Sequence, residues 1–325
     1  MAAPDKFRGT ASASDVAAAI ARAVTAAGGQ CEQLPMADGG EGLLDVLGGA
    51  NRTTTVTGPL GDPVSARWRM SRQQAVIEMA EASGLVLVGG AEGNDPIAAS
   101  TYGTGELISA ALDAGATHII VGAGGSATTD GGMGASRALL PPHRLKRVRF
   151  EVACDVRIPF LEAARLFAPQ KGATPAQVQL LTRRLERLAD VYLEEYGVDV
   201  RVLPGSGAAG GLAGGLAALG ATLVSGFDLV AELKDLHTCV EGADLVVTGE
   251  GFLDAQSFDG KVVGEVADLA RSVGVPLLVI AGEIFDDAQD RVPAVSLVER
   301  FGRDRAMTDT VACVTEAVGE WLSSH

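Results

Sequence analysis

The chain has 325 residues, a net charge of −15, and 47% apolar residues of which few are aromatic (4% of the chain). That length accommodates two domains of ordinary size, and the Ala- and Gly-rich composition suits helices packed closely on a parallel sheet. The acidic balance argues against a nucleic acid or an anionic membrane as partner, and no apolar run is long enough to span a bilayer.

The opening "MAAPDKFRGT" has no apolar segment of the signal-peptide kind. Cys31, Cys154, Cys239 and Cys313 are far apart and form no CxxC pair, so reduced thiols in a cytoplasm are expected. In chain order, Ser12 or Ser14 caps a helix running to about Ala27, stopped by Gly28-Gly29. "CEQLPMA" reads as a strand. "TTTVTGPLGDPVSARWRM" and "QAVIEMA" read as strands joined by Pro/Gly turns, a smaller β-rich part. Thr104 precedes the helix "GELISAALDA", which Gly115 ends, and "HIIVGAGG" is a buried strand. A helical pattern follows from Met133 to Leu140. "FEVACDV" is a strand ending at Asp155. Thr174-Pro175-Ala176-Gln177 is a capping box whose helix runs to Tyr196 and closes at Gly197. "DLVVTGEG" and "PLLVIAG" are buried strands flanking a helix from about Val262 to Ser272, and the last helix runs from about Thr308 to Leu322. Strands alternating with helices imply an α/β fold.

Ligands of open parallel sheets sit beyond the carboxyl ends of the strands. Six polar clusters fall at or near such ends: "APDKFRG", "MADGGEG", "GAGGSATTDGG", "ACDV", "PGSGAAGG" and "TGEGFLD". Turn geometry alone does not require so many. The stretch from Gly122 to Gly132 packs five glycines, three hydroxyls and a carboxylate into eleven residues, which keeps side chains away from backbone amides. "PGSGAAGG" contains Gly205-x-Gly207-x-x-Gly210 after the apolar "VRVL", with Asp228 at about the distance of a ribose-binding acid. A nicotinamide site, close packing of a Gly/Ala-rich helix and another anion-cradling loop are all open on this pattern. There is no Walker loop: Val262, not Ser or Thr, follows Gly260-Lys261. His118 reads as a structural histidine. Asp155 closes a buried strand, where a carboxylate needs a cation, amides or a ligand. Lys6, Lys171 and Lys261 each lie beside a glycine-bearing cluster, with a solvated surface role equally open.

Taken in order, "APDKFRGTASASDVAAAI", "MADGGEG", "VTGPLGDPV", "IEMAEASGL", "STYGTGELI", "GGSATTDGGMG", "ACDV", "PQKGA", "GAAGG" and "TGEGFLDAQSFDGKV" resemble the glycerate kinase family. The resemblance spans most of the chain. It implies two α/β lobes, a Rossmann-like parallel-sheet lobe with a second α/β lobe inserted; here these would be residues 1–56 with 238–325, and 57–237. It implies phosphoryl transfer from ATP to D-glycerate, chiefly to 2-phosphoglycerate, with Mg²⁺. The chain is shorter than the family pattern before "APDKF", between Leu140 and Phe150, and between Asp155 and "PQKGA".

Such chemistry needs positioning and charge stabilisation. The amides of residues 122–132, at the start of the Met133 helix, are suited to phosphates. Asp38, Asp130, Asp155 and Glu250 are candidates for Mg²⁺, with Asp155 and Asp130 preferred. Lys6 and Lys261 are suited to glycerate's carboxylate, and Asp155 to the role of base. Asp155 and Lys6 are thus the expected catalytic residues. Asp38, Gly39, Gly40, Gly124, Gly125, Ser126, Thr128, Asp130, Gly249, Glu250 and Lys261 are expected to bind substrate or phosphate. The alternatives are an NAD(P)-dependent hydroxy-acid oxidoreductase, resting on Gly205 to Gly210, and a non-catalytic sugar-acid sensor.

Overall fold

Alternation of small or apolar residues with arginines in Pro63–Ser71 gives that strand one buried face, made by Ala66, Trp68 and Met70. Gln74–Glu78 and His118–Gly122 instead bury nearly every residue, as strands covered on both faces must. The computed structural model describes residues 1–7, 9–285 and 288–324. They fall into two units, residues 39–226 and residues 1–38 with 227–325.

The unit of residues 39–226 is built on six strands in sequence order: β1 (Arg52–Thr57), β2 (Pro63–Ser71), β3 (Gln74–Glu78), β4 (His118–Gly122), β5 (Arg149–Cys154) and β6 (Thr222–Ser225). The first three pair antiparallel and β3 to β6 pair parallel. The β-rich segment is therefore no separate part; it extends one edge of the parallel sheet. Register sets Glu78 beside Gly122 and Gly122 beside Ala153, so three carboxyl ends lie together. His118 is satisfied structurally by Glu151 (2.6 Å) and Gln74 (3.1 Å).

Thr174 caps the helix Pro175–Tyr196 through the expected box, and Gly197 ends it at φ 71°. Leu181, Leu185, Ala189 and Tyr192 form its buried stripe against Phe160 and Ala163. The Tyr192 hydroxyl reaches past this layer and donates to the Gly131 carbonyl at 2.9 Å. The helix expected after Thr104 begins earlier, at Tyr102, because Thr104 Oγ1 is paired with Ser83 Oγ (2.8 Å) inside the core.

The other unit holds three parallel strands, β7 (Val246–Leu253), β8 (Leu277–Ile284) and β9 (Ala294–Ser296). The first residues lie along β7, with Ala3 N and Asp5 N donating to Val247 O and Gly249 O. On their other side, Leu34 N and Met36 N donate to Ala2 O and Pro4 O, so "CEQLPMA" pairs as an extended segment. Ser12 is the cap of helix Ala13–Ala26, whose Val16, Ala17 and Ile20 share a core with Val314, Ala317 and Val318 of helix Thr310–Ser324. Among the described residues no helix is long and apolar enough to cross a membrane.

The divisions fall at 38/39 and 226/227 rather than near 56 and 237. Two contacts explain the shift. Glu78 accepts from the amides of Gly42 (3.0 Å) and Leu44 (2.7 Å), which ties the 39–47 loop to β3. Lys234, near the end of helix Gly226–Lys234, donates to Pro35 O at 2.7 Å, which ties that helix to the first residues.

Candidate active site

In the 39–226 unit, two glycine loops meet at the carboxyl ends of the parallel strands. A Cβ on Gly124 would stand 2.7 Å from Gly40 Cα and 3.1 Å from Glu41 N, so the backbones touch there. Gly39, at φ +91°, lies against Gly226 and Ala153 in the same way. Gly124 and Gly39 are thus glycines for backbone packing. Gly125 is glycine because its φ is +67°. Gly40, partly exposed, completes this pair of loops.

Most of the quoted loop is committed to its own scaffold. Ala127 N donates to Ser83 O, Gly131 N to Gly210 O and Met133 N to Asp130 O. Ser126 Oγ accepts from Thr128 N at 3.0 Å and pairs with Thr128 Oγ1 at 2.9 Å; both side chains are buried. The side chains of Ser126 and Thr128, both expected to bind substrate or phosphate, are engaged in forming the loop. The amides of Gly124, Gly125 and Ser126 hold no internal partner among the described residues.

Asp130 is a second correction. Its carboxylate accepts from Thr101 N (2.9 Å), Thr101 Oγ1 (2.9 Å), Gly132 N (3.1 Å) and Gly134 N (3.1 Å). Gly132 caps the helix Met133–Ala138, so the positive helix end expected to meet a phosphate already holds an internal anion. A carboxylate so occupied fits neither a metal nor a ligand.

Beneath the loop lies Lys171, 5% exposed, donating to Thr128 O at 2.6 Å and toward Ser126 Oγ at 3.4 Å. Burial pushes its ammonium down to about 7, and the Asp130 charge opposes that shift. Asn94 bridges Ala127 O and Lys171 O from the side. The "PGSGAAGG" stretch packs under the same loop: a Cβ on Gly210 would stand 2.0 Å from Thr128 O. "VRVL" is a 3₁₀ turn, Val200–Val202, not a strand. The dinucleotide fingerprint thus lacks its strand, and its glycines serve packing.

Asp155 directly follows β5 and is exposed. The expectation that burial would make this carboxylate demand a partner does not apply. Its charge, added to the larger effect of burial, pushes the neighbouring Cys154 thiol up to about 11.

In the unit of residues 1–38 and 227–325, a charged group gathers at the carboxyl edge. Lys6 Nζ stands 3.9 Å from Asp38 Oδ1, both side chains being 16% exposed. Asp5, buried, accepts from Lys6 N at 2.7 Å and donates its own amide to Gly249 O. Gly249 is glycine because a Cβ would stand 2.1 Å from Ile280 O of β8; its ligand-binding role has no side-chain basis. Glu250 is half-buried, and its Oε1 is enclosed with no hydrogen-bond partner among the described residues. Burial pushes the Glu250 carboxyl up to about 7; the Ser257 hydroxyl and Lys261 pull it down, and Asp5 and Asp254 push it further up. Lys261 sits at the cap position of helix Val262–Val273.

Of the residues expected at the site, Lys6 pairs with Asp38, and Lys261 acts on Glu250, in the unit of residues 1–38 and 227–325, while Gly39, Gly40, Gly124 and Gly125 lie in the unit of residues 39–226, where Gly124 meets Gly40. Sequence reasoning missed the supporting role of Glu78, Thr101 and Tyr192 and the burial of Lys171. The first two lie in quoted motifs, and Lys171 in "PQKGA", but direction and burial are tertiary properties. Among the described residues, no cluster of three or more His, Cys, Asp or Glu side chains forms a metal cage. Magnesium bound with a nucleotide needs fewer, one or two carboxylates beside phosphates and waters. Exposed Asp155 fits that requirement and Asp130 does not.

The sequence matches the Glycerate kinase family profile over residues 1–140 and 141–318. It is 38% identical to a glycerate kinase of Halalkalibacterium halodurans, covering 99% of this chain and 98% of that protein. It is 42% identical to a glycerate 2-kinase of Escherichia coli K12, covering 93% and 88% respectively. A crystal structure from Salmonella typhimurium LT2 assigned as glycerate kinase 2 superposes with a TM-score of 0.83 at 34% identity, over 99% of this chain and 96% of that one. On these grounds, together with an α/β architecture whose polar clusters collect at strand carboxyl ends, the chain belongs to the glycerate kinase family.

Proposed function

We propose that this enzyme transfers the γ-phosphoryl group of ATP to D-glycerate and yields 2-phosphoglycerate. The observation that carries the reading is the group Lys6, Asp38, Glu250 and Lys261 at the carboxyl edge of one parallel sheet. A small hydroxy acid needs cations for its carboxylate and an acceptor for its hydroxyl. Lys6 and Lys261 supply the first and the unpaired oxygen of Glu250 the second. Asp38 holds Lys6 ready in its pair.

Nucleotide phosphates are met by the amides of Gly124, Gly125 and Ser126, which hold no internal partner among the described residues while other donors of the loop are spent internally. Asp155 is the residue that would hold Mg²⁺, which when bound neutralises phosphate charge. The protein's own contribution is position. The Lys171 and Asp130 bonds fix the loop, and the Lys6–Asp38 pair fixes the carboxylate site.

Two outcomes are expected. Incubated with Mg-ATP, the enzyme should release ADP only when D-glycerate is present, measured by a coupled ADP assay. ADP release indifferent to D-glycerate, or none at all, would sink the proposal. Gly125→Ala should raise the KM for ATP several-fold with a small drop in melting temperature. The φ of +67° costs a side chain roughly 1–2 kcal/mol, and the new methyl would press on Ala80. An unchanged KM would place the phosphate elsewhere.

A further inference from the structure

We infer that Lys171 is the buried counter-charge of the glycine loop, and that it holds a proton whenever a phosphate rests on the amides of Gly124, Gly125 and Ser126. This rests on the phosphate reading above and adds the group that lets those amides take an anion. Three observations carry it. First, the loop needs a cation. It already contains Asp130, and the donors that answer that carboxylate, from Thr101, Gly132 and Gly134, are spent on it. A phosphate approaching the remaining amides meets a like charge. Second, among the described residues Lys171 is the cation that reaches this loop by hydrogen bonds, with Nζ 2.6 Å from Thr128 O and 3.4 Å from Ser126 Oγ. Ser126 also offers its amide to the ligand, so the ammonium stands one side chain away from the anion. Third, the lysine is 5% exposed, so little water screens its charge. Two unit charges several Å apart in such surroundings change a binding constant by roughly tenfold or more.

Lys171 ends the 3₁₀ turn Pro169–Lys171. Its backbone is fixed on the side away from the loop. Asn94 donates to its carbonyl at 2.9 Å, and Gly172 has no room for a Cβ beside Ala91 O. The charged groups around it are few. Asp130, on the loop, favours the ammonium. Glu92 and Asp95, in the turn that carries Asn94, and Arg165, on the helix Ala163–Phe167, are exposed and screened by solvent. The helix that opens at Pro175 has no acid in its first turn. Ser126, Thr128 and Ala209 bring no charge. Burial outweighs Asp130 and brings the ammonium down to about 7. At neutral pH the lysine is therefore divided between its two forms. A phosphate favours the cation, so phosphate and proton enter together. By linkage, the proton tightens the phosphate by the same factor as the phosphate tightens the proton. Affinity for Mg-ATP should fall above pH 7, by up to about tenfold per unit, until the lysine in the complex also loses its proton.

The proton on Lys171 is read by NMR of the full chain labelled with carbon-13 at the lysine Cε, which leaves five lysines in the spectrum. Its signal is identified by its loss in Lys171→Arg, which keeps a cation at the site. Alone, the protein should show this signal titrating at about 7. With saturating Mg-ATP the midpoint should rise by about one unit or more, the counterpart of a tenfold or greater tightening. Calorimetry of Mg-ATP binding at about pH 8, in buffers of different ionisation enthalpy, should show proton uptake in the wild type and none in Lys171→Met. That variant should bind Mg-ATP more weakly than the wild type at about pH 6, by roughly tenfold or more, and the gap should close as pH rises. A lysine that only props up the loop would leave the same gap at every pH. If Lys171→Met fails to fold, the wild-type midpoints decide. A midpoint that Mg-ATP leaves in place overturns the inference. If Gly125→Ala weakens Mg-ATP while that midpoint stays, the amides remain the phosphate site and only the counter-charge falls. Mg-ATP that binds indifferently to Gly125→Ala, or not at all, removes the phosphate reading and the inference with it.

Discussion

Replacing Lys171 with methionine should remove a pH-dependent slope from the stability of the protein. The ammonium is 5% exposed, and burial brings it from its ordinary 10.5 down to about 7. Between those values the unfolded chain carries the proton and the folded chain does not. Wild-type stability should therefore fall as pH drops from about 10.5 toward 7 and change no further from this cause below it. The slope is at most roughly 1.4 kcal/mol per pH unit, and the whole span roughly 5 kcal/mol. Lys171→Met keeps the length of the stem but does not titrate. Urea unfolding of both proteins at several pH values gives the difference, in which other groups such as Tyr192 cancel. Parallel curves would mean that Lys171 is as well solvated in the folded protein as in the unfolded one.

Asp130→Ala should cost roughly 3–5 kcal/mol of stability, from the donors it strands. Thr101 N, Thr101 Oγ1, Gly132 N and Gly134 N all point at one carboxylate, and Thr101 is fully buried. The melting temperature should drop by roughly 10 °C. A variant that melts like the wild type but loses its response to Mg²⁺ would restore the metal role first expected of Asp130.

Local signals were legible because they act over a few residues. Thr174 with Gln177 marks a helix start, Gly197 a helix end, and Ser12 another start, since capping is decided within one turn. The polar clusters at strand ends were legible for a similar reason: buried runs end where glycines and carboxylates begin. What escaped depends on direction. Asp130 and Asp155 are both aspartates in glycine-rich surroundings, yet one is enclosed by four donors and the other faces solvent. Ser126 and Thr128 resemble phosphate-binding hydroxyls in a linear pattern, but they bond each other because Lys171 and Asn94 fill the space behind them. "VRVL" has the composition of a strand and forms a 3₁₀ turn, while the sheet takes Thr222–Ser225 at that edge. Edge pairing, more than propensity, decided that case.

The central claim is phosphorylation of D-glycerate at its second carbon. A proton-coupled phosphorus NMR spectrum of the product formed from Mg-ATP and D-glycerate tests it most directly. The predicted signal is a phosphate ester split by the single proton on the carbon bearing the hydroxyl next to the carboxylate. An ester split by two methylene protons would contradict the position of transfer, and a spectrum with no new ester would contradict the activity itself.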